Sequence, residues 1–271
     1  MSEATDKLAQ MFKLSDPERL FNDVVARCYD RWRFVLSFRI TAKASMAAAA
    51  KQIESDKITF VADMLYGSEF DKILIDKEKF FETNPPDKIV QSMTEQTIQE
   101  MELVMNAASI VFVHSVLDAA ALDFCRVTAM TAAKDWESLV EKKSISLAEA
   151  KAGNYDQLLQ QKLKDYFVQL ERESLLTKAD QLLARCKPEP KWSPMNNYEY
   201  DRKRMEYLDK FRHNIIHGDG LGMELKNADD EIDYLMRTAL YYMGLVNLRY
   251  GFKLAPLYIF QTMAEFRKPA S

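Results

Sequence analysis

A chain of 271 residues with seven glycines and eight prolines has few places to turn. These two residues punctuate regular structure, so a chain this short of them must run in long elements with few connections, which favours helices. The pattern along the sequence agrees. In "LSDPERLFNDVVARCYDRWRFVLSFRI", residues Phe21, Val24, Val25, Cys28, Trp32, Val35 and Leu36 recur at helical spacing. Ser15 or Asp16 suits the cap, Pro17 the first turn, and Glu18 the positive end of the helix dipole. "KASMAAAAKQI" extends the helical character, and the stretch from Gly67 to "TNPPDK" breaks it.

Asn84 with Pro85 and Pro86 opens a second long helix, reaching to about Lys134. Its middle, "LVMNAASIVFVHSVLDAAALDF", is the most apolar stretch of the chain. Asn106, His114, Asp118 and Asp123 interrupt it, which suits a buried helix of a soluble protein better than a membrane span. Further on, Ser146 and Glu149 have capping-box spacing, Gly153 interrupts, and "YDQLLQQKLKDYFVQLERESLLTKADQLLARC" reads as one or two surface helices. "KPEPKWSPMNN" is the clearest loop. A helix follows from about Glu199, another from Asp229–Glu231 to about Gly251, and "APLYIFQTMAEFRK" closes the chain. No strand pattern emerges. The expected architecture is an all-α bundle of long antiparallel helices, one domain over residues 1–271 with a helical insertion at about 135–197.

Composition narrows the classes of function. Apolar residues make up 48% and charged residues 29%, so a packed core is within reach and disorder is not indicated. A net charge of −4 argues against a nucleic-acid coat protein but leaves room for a local basic cleft. Cys28, Cys125 and Cys186 are far apart with no CxxC pair, pointing away from a disulfide framework or a zinc ribbon. With the polar start "MSEATDKLAQMF", this makes the cytoplasm the expected location, with no membrane partner.

The chemistry gathers in "LDKFRHNIIHGDGLG". Two of the three histidines, His213 and His217, stand directly behind Arg212, and Gly218, Gly220 and Gly222 follow at once. The plainest account is a helix end. Leu208, Phe211 and Ile215 form a stripe toward the core, Gly218 supplies a left-handed terminator, and a last-turn histidine suits the dipole. A metal site is a second account, since His213 and His217 are i, i+4. However, HNIIH lacks the glutamate of the HExxH peptidase helix, and a third ligand would have to be Asp219 or a distant carboxylate. The third account pairs Arg212 with His217. Five helical steps put them about 140° apart around a regular helix, but a helix ending at His217 could still turn both heads to one cleft. A permanently charged fork beside an imidazole suits phosphodiester chemistry: the arginine binds phosphate oxygens and the histidine moves a proton, with no metal or cofactor required.

"RHNIIH", ending an amphipathic helix of an all-helical chain, resembles the signature of the HEPN ribonucleases: an arginine, four to six residues, then a histidine. Arg212 matches the arginine, His213 the polar position after it, and His217 the histidine. The resemblance covers roughly residues 200–222. It implies a helical bundle that dimerises so that two motifs share a cleft. It also implies metal-independent RNA cleavage by the ribose 2′-hydroxyl in a toxin or antiviral defence setting, with an antitoxin or regulatory partner. Some members of the family are catalytically inactive interaction modules, and that is the alternative reading here.

Around the motif, Asn214 is expected to support Arg212 and His217. His114 and Asp118, neighbours on one face of the second long helix, raise two possibilities. Either Asp118 faces the cleft and orients Arg212 or His213, as an acidic residue opposite the motif does in the family, or it pairs locally with His114. Arg202, Lys203, Arg204 and Lys210 could guide an RNA backbone, or simply form a solvated face. Tyr198, Tyr200 and Tyr207 could stack on bases, or pack.

Overall fold

The computed structural model describes residues 3–55, 85–140, 155–188, 198–218 and 227–265. Among these there is no strand, and the fold is all-α. In chain order the helices are α1 (Glu3–Met11), α2 (Asp16–Ser55), α3 (Pro86–Thr131), a 3-10 turn at Ala133–Trp136, α4 (Glu137–Val140), α5 (Tyr155–Leu170), α6 (Leu175–Cys186), α7 (Arg202–Ile216), α8 (Ala228–Tyr250) and α9 (Pro256–Glu265). The expected breaks at Gly67, Ser146–Glu149 and Gly153, and most of the loop at 187–197, lie outside the described residues.

Two compact units result. The larger holds Met1–Phe34 and Ile110–Ser271, the smaller Val35–Ser109. The division therefore falls inside the two long helices and not at 135–197, whose described elements belong to the larger unit.

Within the larger unit, the Glu18 side chain reaches back to Ser15 at the start of α2. The Glu18 carboxylate accepts from the Ser15 N–H at 2.9 Å and from its hydroxyl at 3.0 Å. The predicted apolar stripe is buried from Phe21 through Trp32. Phe21 packs against Phe124 of α3 and Phe252 behind α8, with ring centroids 5.9 and 5.2 Å apart. The buried Asn22 amide ties the α8–α9 link to α2, donating to the Lys253 carbonyl at 2.9 Å and accepting from the Ala255 N–H at 3.0 Å. Ala9, Ala255 and Tyr258 join α1 to α9. The chain from Tyr155 to Cys186 forms two helices: α5 exposes its polar face and buries one apolar stripe, as expected of a surface helix, and α6 is more deeply buried. Leu159, Leu163 and Leu170 of α5, and Leu175, Ala179 and Leu182 of α6, are all buried. Within this unit α2 and α3 run antiparallel, since Arg27 meets Asp123 and Phe34 meets Phe112.

The smaller unit contains the continuation of α2 and the first half of α3. Val35, Met46, Val90 and Met105 are buried there, and the largely buried Arg39 donates to the Asn106 side chain at 2.9 Å. Leu36, expected in the core, is 47% exposed. An apolar groove in this unit is lined by Phe38, Met46, Met101, Val104 and Met105.

By length and composition Val90–Thr131 is long and apolar enough to cross a membrane. The polar residues that interrupt it are each matched by a side chain from another helix. Asn106 meets Arg39 of α2, His114 meets Asp209 of α7, Asp118 meets Lys178 of α6, and Asp123 meets Arg27 of α2. Burying a polar group is costly unless it is paired; Asn106, Asp118 and Asp123 are hydrogen-bonded, and His114 has Asp209 at ion-pair distance.

Candidate functional site

α7 carries the candidate site, and both of its ends are set by local chemistry. At the start, the Asp201 carboxylate accepts from the N–H groups of Lys203 at 2.8 Å and Arg204 at 3.1 Å, a side-chain cap on two otherwise unpaired donors. Met205, Leu208 and Phe211 then face the core, and Ile215 is half-buried. At the end, the His217 N–H donates to the His213 carbonyl at 3.1 Å, and the Gly218 N–H to the Ile215 carbonyl at 3.3 Å. Gly218 has φ +82°, the left-handed conformation that glycine adopts without strain. The helix-end reading of the motif is thus correct. It coexists with whatever chemistry the side chains perform.

Those side chains divide into two groups. His213 and His217 are exposed, and their ring centroids lie 4.3 Å apart with planes tilted by 49°. Arg212 is half-buried, and its Nε is shielded from solvent without a hydrogen-bond partner among the described residues. No hydrogen bond or cation–π contact joins Arg212 to either imidazole among the described residues. α7 remains α-helical through Ile216, so the angular gap of about 140° between Arg212 and His217 persists within one chain. Asn214 is half-buried on the same turn. Asp219, Gly220 and Gly222 lie outside the described residues.

One carboxylate near the motif was not singled out as a site residue from the sequence. Asp209 sits one turn before Arg212 and His213, and its Oδ1 lies 3.2 Å from Nε2 of His114 on α3. His114 is 1% exposed. The separation is that of an ion pair, although the imidazole is not aligned for a good hydrogen bond and its Nδ1 has no partner among the described residues. The Asp209 carboxyl is held below its ordinary range chiefly by His114. Burial works in the opposite sense, and the charges of His114, Arg212 and His213 add to the lowering. Asp209 is therefore tied to the core by His114. Its only sequence signal was its position one turn before the motif.

Asp118 does something else. Both of its oxygens accept from the Lys178 ammonium, at 2.7 and 2.9 Å, and Lys178 is 1% exposed. This corrects both expectations for Asp118: it neither orients Arg212 or His213 nor pairs with His114. A lysine from α6, sixty residues along the chain, takes it. Lys178 also carries the carbonyl toward which the Cys125 thiol points at 3.5 Å.

The basic residues along α7 also separate. Arg202 pairs with Asp180 and with Glu206, and Arg204 pairs with Glu231 at 2.8 Å while its guanidinium lies 4.2 Å above the Tyr234 ring. Both are held by the fold. Lys203 and Lys210 are exposed, with no ion-pair partner for their ammonium groups among the described residues. Tyr198 is buried, hydrogen-bonded to Thr238 at 2.9 Å and stacked near Tyr234, and Tyr200 stacks on Tyr241. Of the three tyrosines, Tyr207 alone is exposed. Burial raises the thiols of Cys28 and Cys186 to about 12 and that of Cys125 further still, so none is a nucleophile near neutral pH. Among the described residues no group of three or more His, Cys, Asp or Glu side chains is arranged to hold a metal ion. Searches against protein-family models, curated proteins and solved structures returned no match for this chain.

Proposed function

We propose that the chain is a metal-independent RNA endonuclease of the HEPN type, acting as a homodimer in which the ends of two copies of α7 line one cleft. The observation that carries this reading is the state of Arg212. A guanidinium sits half-buried with its Nε unpaired among the described residues, on the same last turns of a helix as two imidazoles in mutual contact. Such a group favours an anion, and a phosphate offers two oxygens spaced to accept from the guanidinium fork together.

In the proposed reaction Arg212 holds the non-bridging phosphate oxygens and stabilises the charge that grows on them. An imidazole, His217 or His213, accepts the proton of the ribose 2′-hydroxyl as that oxygen attacks the adjacent phosphorus. The bond to the 5′-oxygen breaks, a protonated imidazole supplies the leaving group's proton, and a 2′,3′-cyclic phosphate remains. Asp209 keeps Arg212 and His213 in place, and the exposed Lys203 and Lys210 attract the RNA backbone. The angular gap within one chain is the reason a second copy is part of the proposal, since the partner's motif can complete the constellation.

The test is incubation of bulk RNA with wild type, Arg212→Ala and His217→Ala in excess chelator. Wild type is expected to leave cyclic phosphate ends, with loss of cutting in His217→Ala by about a hundredfold or more, the ordinary weight of general acid–base catalysis. Equal cutting by all three, or none by wild type, overturns the reading. The second outcome favours an inactive interaction module, to which the exposed apolar groove of Phe38, Met101 and Val104 also lends support.

A further inference from the structure

We infer that His213 and His217 form a two-imidazole clasp for a borderline transition-metal cation such as Zn²⁺ or Cu²⁺. Occupancy of the clasp would silence the site by taking both imidazoles out of proton transfer. This second half rests on the endonuclease reading; the clasp itself does not.

The geometry is that of two adjacent rungs on one helix face. Residues four apart lie one above the other, and here the rings approach to 4.3 Å between centroids. Two nitrogens bound to one tetrahedral ion at about 2.0–2.1 Å must stand about 3.4 Å apart, which these two exposed rings reach by rotating about their side-chain bonds. Both rings are exposed, so a cation reaches them without any opening of the fold, and water can fill its remaining coordination positions. Neither imidazole has an ion-pair partner among the described residues, which leaves the donor nitrogens available.

Charge around the clasp is mixed. Arg212 and Lys210 oppose a cation. Asp209 offsets them from the same row of the helix, since Asp209, His213 and His217 follow at i, i+4 and i+8. Its carboxylate is held by His114. Imidazole donors select Cu²⁺, Ni²⁺ and Zn²⁺, whereas Mg²⁺ and Ca²⁺ prefer oxygen. The clasp therefore does not substitute for a magnesium-dependent nuclease centre; it is a site through which a trace metal restrains a metal-free one.

The experiment uses untagged full-length protein stripped with chelator, titrated with zinc chloride alone by calorimetry and followed by imidazole NMR signals. One zinc per chain is expected, with the His213 and His217 signals moving and that of the buried His114 unmoved. His213→Ala and His217→Ala should each weaken binding at least tenfold while unfolding at the wild-type temperature, copper should bind more tightly than zinc, and magnesium should not bind. Equal zinc binding by wild type and both variants, or no binding of zinc or copper, overturns the clasp. RNA cutting that stops on saturation with zinc and returns with chelator supports the silencing, and undiminished cutting by saturated protein overturns it. A wild type that binds zinc but cuts no RNA removes the endonuclease reading, and with it the silencing, and leaves the clasp standing.

Discussion

Replacing Asp118 with alanine should destabilise the protein far more than removing its partner. Lys178 is 1% exposed, and its ammonium lies 2.7 and 2.9 Å from the two Asp118 oxygens. Loss of one member of a buried pair typically costs about 3–5 kcal/mol, because the surviving charge stays buried without a counter-charge. The Asp118 side chain is 28% exposed, so water can reach part of the vacated space, and about 3 kcal/mol is the expected figure. For a chain of this size that lowers Tm by about 6–12 °C. Lys178→Met leaves a carboxylate that solvent can approach, fills much of the volume with an apolar chain, and should cost only about 1–2 kcal/mol.

The double variant Asp118→Ala, Lys178→Met should then be more stable than Asp118→Ala alone, with a coupling of about 1–3 kcal/mol. Urea unfolding of the four proteins, followed by circular dichroism, gives the cycle. Strict additivity would refute the argument that the two charges depend on each other. The same variants bear on the site. If Asp118 serves Lys178 and not Arg212, Lys178→Met should leave any RNA cleavage unchanged at a temperature where it is folded.

Asp209→Asn should destabilise by about 1–3 kcal/mol, since the buried His114 loses its charged partner. Because the Asp209 pKa is lowered on folding from its ordinary 3.8, its contribution is present above that value and is lost as pH falls through the folded value; the gap between wild type and variant should therefore narrow below about pH 4 in denaturant titrations. Asp201→Ala removes the cap on the Lys203 and Arg204 N–H groups and should cost about 1 kcal/mol, read as a lower urea midpoint. Gly251 ends α8 at φ +66° and donates to the Asn247 carbonyl at 2.8 Å, and an added Cβ would meet nothing within 4 Å. Gly251→Ala should therefore cost only the conformational strain of about 1 kcal/mol, whereas a fall in Tm beyond about 6 °C would point to an unseen clash.

The helical elements were legible because their signals are local. Pro17 with Ser15 and Glu18 marks the start of α2, Gly218 ends α7 and Gly251 closes α8, each through local geometry, whereas α7 starts at Arg202 behind the Asp201 cap and not at Glu199. The apolar stripes of α2 and α7 followed from the 3.6-residue period, with Leu36 as an exception, exposed although it adjoins the stripe in sequence.

The end of α7 was legible in the same way, which is why Arg212, His213 and His217 could be named and the contact of the two imidazoles anticipated from their spacing. The partners of the charged residues were not. Periodicity assigns a side chain to a face of its own helix but carries no information about which other helix that face meets. Asp118 and His114 share one face of α3, four residues apart, yet one is taken by Lys178 of α6 and the other by Asp209 of α7. The sequence by itself determined an all-helical chain with a cationic and imidazole cluster at a helix end. Only the packing of α3 against α6 and α7 decided which partner His114 and Asp118 each meet, because long-range pairing depends on the three-dimensional arrangement of helices and not on spacing along any one of them.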